Sequence, residues 1–393
     1  MQATADLTLA PSAGQAHDRV FPAERATDSN LYQTARSCYR FLRHERRTPT
    51  SVPLTRKLGM WRRGFFAESA AIYDLPHNDV THYLSDYQHL VRCSRVNSWN
   101  ALYRHKLVLR SMLTAMGLPQ PCTEAVVLDG RILVGPFGGN PRYVSPDELL
   151  EHLARDGGMH EYLVKPEDGP RTRAIFLLSC RDGRFFRHRG RAVERIDAED
   201  LLAELRASEK GRPASAILIE RRVEQGPFWT GLFPGSINSI RLLTLWTPGE
   251  SAPFLARAVQ RIGTAETVPT ANWSRGGLSA LVDRATGQLG VARRHPLKGR
   301  RGRPVVFDRH PDTGAAITGS VLPQWEVLRT AVLRVAACLP YNRMTAWDAV
   351  VDSAGRAVIL EAEGNGDVNL LQAHGGLLAD PQVRRFYAAL HVV

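Results

Sequence analysis

Near the C-terminus two apolar runs flank a short turn: "AWDAVV", "DSAGR" and "AVILEAEGNGD", from Ala346 to Asp367. No other stretch restricts the fold as tightly. The runs predict paired strands joined by the turn. Residues two apart in a strand face the same way, so Glu361, Glu363, Asn365 and Asp367 gather oxygen atoms on one face, with Asp348 on the preceding strand. Such a set is costly to keep together unless something positive sits among it. The competing reading is a polar strand end that runs into a solvated loop.

The rest of the chain reads as mixed α and β. Residues 1–30 form a polar tail without the basic and apolar segments of a secretion signal. Residues 31–100 predict a mostly helical region, in which Asp79 caps a helix. Leu102, Leu109, Met112, Leu113 and Met116 make a helical stripe, with Gly117 at the C-terminal cap and Pro119 behind it. Short strand-like runs follow, interrupted by the capping box Ser145–Glu148 and by "DAEDLLAELRAS". About 118–215 thus predicts a smaller α+β unit and 216–393 a larger one with an antiparallel sheet, together spanning 101–393.

Composition narrows the function classes. At 44% hydrophobic and 23% charged, 393 residues suffice for two or three packed subdomains. No apolar run is long enough to cross a bilayer. Five scattered cysteines show neither a CxxC pair nor zinc spacing, so the expected setting is reducing and cytoplasmic. The net charge of +12 invites anionic partners. Yet the densest basic run, Arg293 to Pro304, has no interleaved aromatic residue. It reads as a solvated loop rather than a nucleic-acid site.

Four stretches align with one chemistry. Lys106 starts the helix that ends in "GLPQP", Lys165 closes the strand "YLVKP", and Glu220 to Val223 ends the strand "AILI". Asp348, Glu361 and Glu363 come last. Only five lysines stand against 46 arginines, and lysine is a compact charge suited to phosphate oxygens. This order resembles the ATP-grasp family. The resemblance implies an α+β fold of two subdomains around ATP. It assigns Lys106 and Lys165 to the phosphates, and the hinge of Glu220, Arg222 and Val223 to adenine through backbone groups. Magnesium falls to Asp348, Glu361 and Glu363. The thirteen-residue interval from Asp348 to Glu361 is similar to that of D-alanine–D-alanine ligases, where Asn stands two places after the Glu. Here that place holds Glu363, and a second alignment makes Glu363 and Asn365 the pair; both stay open.

A further likeness is to glutamate-adding ATP-grasp ligases, through "SINSIRLLTLW", "VQRIG" and "NWSRGGLSALVD". It places Arg241, Arg261 and Arg275 on an acyl phosphate or oxyanion, with Asn272 at the nucleotide and Gly276 and Gly277 beside it. Across about residues 55–390 the chain resembles the sugar-transfer-associated, glutamate-ligase-related ATP-grasp group, on phrases such as "HKLVLRSMLTAMGLPQP" and "HPDTGAAITGSVLPQW". It departs from the pattern after Lys165, where "KPEDGPRTRAIF" holds one glycine, Gly169, amid Arg171, Thr172 and Arg173. The resemblance implies a ligase that joins a small-molecule carboxylate donor to an amine acceptor, with ATP and magnesium. The alternatives are phosphotransfer to a hydroxyl or sugar, a basic nucleic-acid-binding protein, and a degenerate scaffold.

Overall fold

The computed structural model describes residues 39, 42–46, 53–136, 140–155, 157, 159–168, 175–209, 216–296 and 305–393. The tail, the Gly169–Arg173 stretch and most of the basic run lie outside the described residues.

Two antiparallel sheets organise the chain. The first has eight strands: β1 (Thr123–Leu128), β2 (Arg131–Val134), β3 (Arg142–Val144), β4 (Met159–Pro166), β5 (Phe176–Arg181), β6 (Arg184–Arg189), β7 (Ala192–Ile196) and β8 (Ile217–Arg221). Their order is β3-β2-β1-β8-β4-β5-β6-β7. Alternation along β1 sends Ala125 and Val127 inward, where Leu149 and Leu153 of helix Pro146–Ala154 and Leu201 and Leu205 of helix Ala198–Glu209 cover them. The capping box forms: Glu148 N–H donates to Ser145 Oγ at 3.2 Å and Ser145 N–H to Glu148 Oε2 at 2.7 Å.

Strand β8 corrects the expected boundary. It pairs with both β1 and β4 in the middle of this sheet, so the smaller unit extends through Arg221 instead of stopping at 215. Its last contribution arrives from far along the chain, and pairing of that kind leaves no local signal.

The second sheet has seven strands: β9 (Ile240–Leu245), β10 (Phe254–Ile262), β11 (Leu278–Val282), β12 (Leu289–Arg294), β13 (Val305–Phe307), β14 (Met344–Val351) and β15 (Ala357–Glu363). The order is β13-β12-β11-β10-β9-β14-β15. Both faces are covered, which is why β9 and β14 read as nearly continuous apolar runs. Leu242 and Trp347 pack with Leu328 and Val332 of helix Trp325–Ala337 and with Leu109 and Leu113 of helix Lys106–Ala115. On the opposite face Leu243, Leu245 and Met344 meet Ile72, Leu84, Leu371 and Phe386. The alternation that sends Leu242 and Trp347 one way sends Arg241 and Asp348 the other.

The N-terminal region is part of this second body. Its described helical segments are residues 42–46, Leu54–Arg62 and Ala67–Ile72, followed by short turns. Asp79 does cap, but it accepts Thr81 N–H on a three-residue 3₁₀ turn, Val80–His82; a five-residue π-helical turn, Gln88–Arg92, follows only after a break. Nearby polar side chains bond backbone elsewhere and compete with helix formation. Asp86 takes Phe66 N–H at 2.7 Å, and Asn97 donates to Met344 O at 2.6 Å and Gly364 O at 3.1 Å. Gln372 receives Leu84 N–H at 2.8 Å. These long-range bonds tie residues 66–100 to β14 and the C-terminal helices. Among the described residues no helix is long and apolar enough to cross a membrane.

Candidate active site

Lys106 is the first residue of its helix, and Gly117, with φ of +73°, ends it as expected. The helix bridges the two sheets. Lys106 Nζ lies 3.5 Å from Glu361 Oε1 and donates to the Glu167 carbonyl at 3.2 Å. Glu167 also meets His105, its Oε2 at 3.0 Å from Nδ1. Lys165, next to last in β4, places Nζ 3.1 Å from Glu220 Oε2. Arg110, one turn beyond Lys106, pairs with the other oxygen of Glu220 and donates to Thr123 Oγ1 at 2.9 Å. Burial pulls the Lys165 ammonium below its ordinary pKa, against the opposing pull of Glu220. Burial pushes Glu220 up, but Lys165 and Arg110 outweigh it and leave the carboxylate low.

The second half stands on β9, β10, β14 and β15. Asp348 sits directly across from Arg241 on one side and Glu361 on the other. Arg241 grips it with Nε at 2.6 Å and Nη2 at 2.7 Å, and Arg261 Nη1 adds a third bond at 2.6 Å. Arg241 Nη1 also reaches Glu363 Oε2 at 3.2 Å. Burial would raise the Asp348 pKa, yet the two guanidinium groups hold it well below the usual carboxylate range. For Glu363 the pull of Arg241 is outweighed by burial and by its carboxylate neighbours, so its pKa is raised.

These residues line one cavity of about 800 Å³ between the sheets, together with Lys106, Lys165, Asn272, Glu361 and Asn365. Others expected at the site stand apart from its wall. Glu220 is buried beneath Lys165 and supports it. Arg222 turns to Glu161 and to the Pro234 carbonyl, its own N–H held by the Glu161 carbonyl at 2.8 Å. Val223 follows in the loop after β8. Arg275 closes the 3₁₀ turn Trp273–Arg275, capped by Asn272; Asn272, Trp273 and Ser274 face the cavity and Arg275 does not. Sequence reasoning missed Arg110, Glu167 and the wall supplied by Leu90, Ser94, Asn100 and Arg104. A buried arginine four residues after a phosphate-type lysine was the one signal at hand, since both fall on one helix face.

Asp348 is interior, with both oxygens already bonded, and does not lie at a strand edge. Among the described residues no three His, Cys, Asp or Glu side chains are grouped to hold a metal ion. The oxygen donors with room for one are Glu361, a third exposed, Glu363, and Asn365, whose buried Oδ1 has no hydrogen-bond partner among the described residues. A carboxylate and amide oxygen set of this kind fits a hard divalent cation.

The glycines of "EGNGD" also have a steric reason. A Cβ at Gly364 would overlap Asn100 Oδ1 and Asn97 Nδ2, and one at Gly366 would overlap Ala346 Cβ. Gly364→Ala is therefore expected to lower stability by about 1–3 kcal/mol, the usual range for overpacking. Denaturant unfolding of the purified variant checks this; an unchanged midpoint would mean that residues 97–100 are not held against the carboxylate strand.

The profile of the sugar-transfer associated ATP-grasp family matches residues 95–385. The chain belongs to that family. Apart from Leu90 and Ser94 of the cavity wall, every site residue named above lies within the matched span. Among solved structures, the chain is similar to a D-cycloserine synthetase, 14% identical, covering 75% of this chain and 71% of that one with a TM-score of 0.40. The D-Ala:D-Ser ligase of Enterococcus faecalis is 9% identical over 73% of this ATP-grasp chain and 62% of its own, TM-score 0.39. The biotin carboxylase of Campylobacter jejuni is 9% identical over 74% and 46%, TM-score 0.37. No curated protein matches by sequence. The family match confirms the ATP-grasp resemblance drawn from the sequence, and the observed elements confirm the α+β fold with helices before the grasp domain.

Proposed function

We propose that the protein is an ATP-dependent carboxylate–amine ligase working through an acyl phosphate. One observation carries the reading: two buried lysines from the smaller sheet and its bridging helix, and two arginines and a carboxylate pair from the larger sheet, converge on a single cavity. In this reading Lys106 and Lys165 hold the nucleotide phosphates as point charges. Glu361, Glu363 and Asn365 would hold magnesium, which when bound neutralises phosphate oxygens. Arg241 and Arg261, fixed by Asp348, present preorganised positive charge to the acyl phosphate and the oxyanion formed on amine attack. Arg261 Nε is buried without a hydrogen-bond partner among the described residues, and is the donor with capacity left. Positioning and charge suffice, so no side-chain nucleophile is required.

The test is ADP release from MgATP with pooled carboxylates and amines, with hydroxylamine present in parallel. A hydroxamate together with ADP is the expected outcome. ADP without hydroxamate, dependent on a hydroxyl acceptor, would replace ligation with phosphotransfer. No ADP under any pool would leave a binding scaffold.

A further inference from the structure

One carboxylate serves two buried cations beneath the cavity. Arg110, Lys165 and Glu220 are 5%, 4% and 2% exposed, and Glu220 pairs with both of the others. The group therefore keeps one uncompensated positive charge. The other lysine and the two arginines that β9 and β10 bring to the cavity have their own anions: Lys106 has Glu361, while Arg241 and Arg261 share Asp348 and Glu363. Uncompensated charge in a buried place is expensive. Arg110 is not even fully hydrogen-bonded, since Nε and Nη2 have no partner among the described residues. A packed hydrophobic side chain would serve the core better. Arg110 does not line the cavity, whereas Lys106, Leu109 and Lys165 do.

We propose that Arg110 is a positioning residue for the nucleotide: by occupying Glu220 it prevents that carboxylate from neutralising Lys165, and so leaves a full positive charge for the polyphosphate. The proposal rests on the nucleotide reading of this cavity. The groups that act on Lys165 are Glu220 and Arg110, with Glu361 and Lys106 beyond them. Removing Arg110 would leave Lys165 and Glu220 as a closed neutral pair. Removing the charge of Glu220 as well would restore the net charge of one.

This gives a charge-compensation test on the full chain, with the dissociation constant of MgATP as the readout and thermal melting as the check on folding. Arg110→Met should bind MgATP on the order of tenfold more weakly, as the loss of one unit charge close to the phosphates implies. Arg110→Lys, which keeps the charge, should recover most of the affinity. The double variant Arg110→Met with Glu220→Gln should bind more tightly than Arg110→Met alone. A folded Arg110→Met with unchanged affinity would overturn the proposal. So would a double variant no tighter than the single one, because a packing role cannot be rescued by deleting a second partner. Should Arg110→Met not fold, Glu220→Gln decides by itself: tighter binding than the wild type supports the proposal, equal or weaker binding overturns it. A wild-type protein that does not bind MgATP would remove the nucleotide reading and this proposal together, a result separable from the others because it appears before any substitution is made.

Discussion

Asp348→Ala is expected to lose about 3–5 kcal/mol of folding stability, the cost of deleting one partner from a buried ion pair, and to lose ADP formation with it. The carboxylate holds two guanidinium groups through three bonds of 2.6–2.7 Å. Without it Arg241 and Arg261 remain buried, and the ion pair left to Arg241 among the described residues is the one with Glu363. Asp348→Asn keeps the shape and sheds the charge, so it should fall between alanine and the wild type. The sign of the pH dependence is fixed. The folded pKa of Asp348 lies below its unfolded value of about 3.9. The stabilisation is then fully present above that unfolded value and disappears as pH falls through the folded pKa. The gap in unfolding free energy between the wild type and Asp348→Asn should therefore be wide at neutral pH and narrow below about pH 4. Urea titrations at several pH values measure it. A gap that stays constant into acid would mean that the aspartate contributes packing and not charge.

That expectation differs from the one the sequence resemblance implies, under which Asp348 is a magnesium ligand. The difference shows where local pattern stops being informative. Alternation and turn chemistry made the Ala346–Asp367 hairpin, the Ser145 capping box and the helix from Lys106 to Gly117 legible, because each depends on residues within a few positions. The rarity of lysine drew attention to Lys106 and Lys165. What could not be read was pairing across distance. β8 enters the smaller sheet between β1 and β4. Asn97 bonds Met344 and Gly364, which makes residues 90–104 a wall of the cavity. Arg241 and Arg261 come 107 and 87 residues before the aspartate they grip. Glu220 looked like hinge surface because it ends an apolar strand, and only the neighbours supplied by β4 and the Lys106 helix show it to be buried support.

The same neighbours bear on the two alignments left open for the third oxygen ligand. Among the described residues Glu361 is engaged only by Lys106, at 3.5 Å, and its side chain is one-third exposed. Glu363 is already bonded to Arg241, and its raised pKa means that a proton competes more strongly for its oxygens. Asn365 lines the cavity with an unpartnered oxygen. In a magnesium titration of ADP formation, Glu361→Gln should raise the metal requirement beyond the roughly 10–100-fold typical of losing an outer-shell partner. Asn365→Ala should raise it more than Glu363→Gln does. The loss of Glu363 should show in addition as looser packing of Arg241, that is, as a lower melting temperature. Direct Mn²⁺ binding, followed by the loss of the free-ion paramagnetic signal, gives the same ranking without turnover. A larger shift for Glu363→Gln than for Asn365→Ala would make Glu361 and Glu363 the ligand pair and leave the Asn365 oxygen without a role. Equal metal binding in all three variants would move the cation away from this strand altogether, because no other oxygen set on β15 faces the lysines.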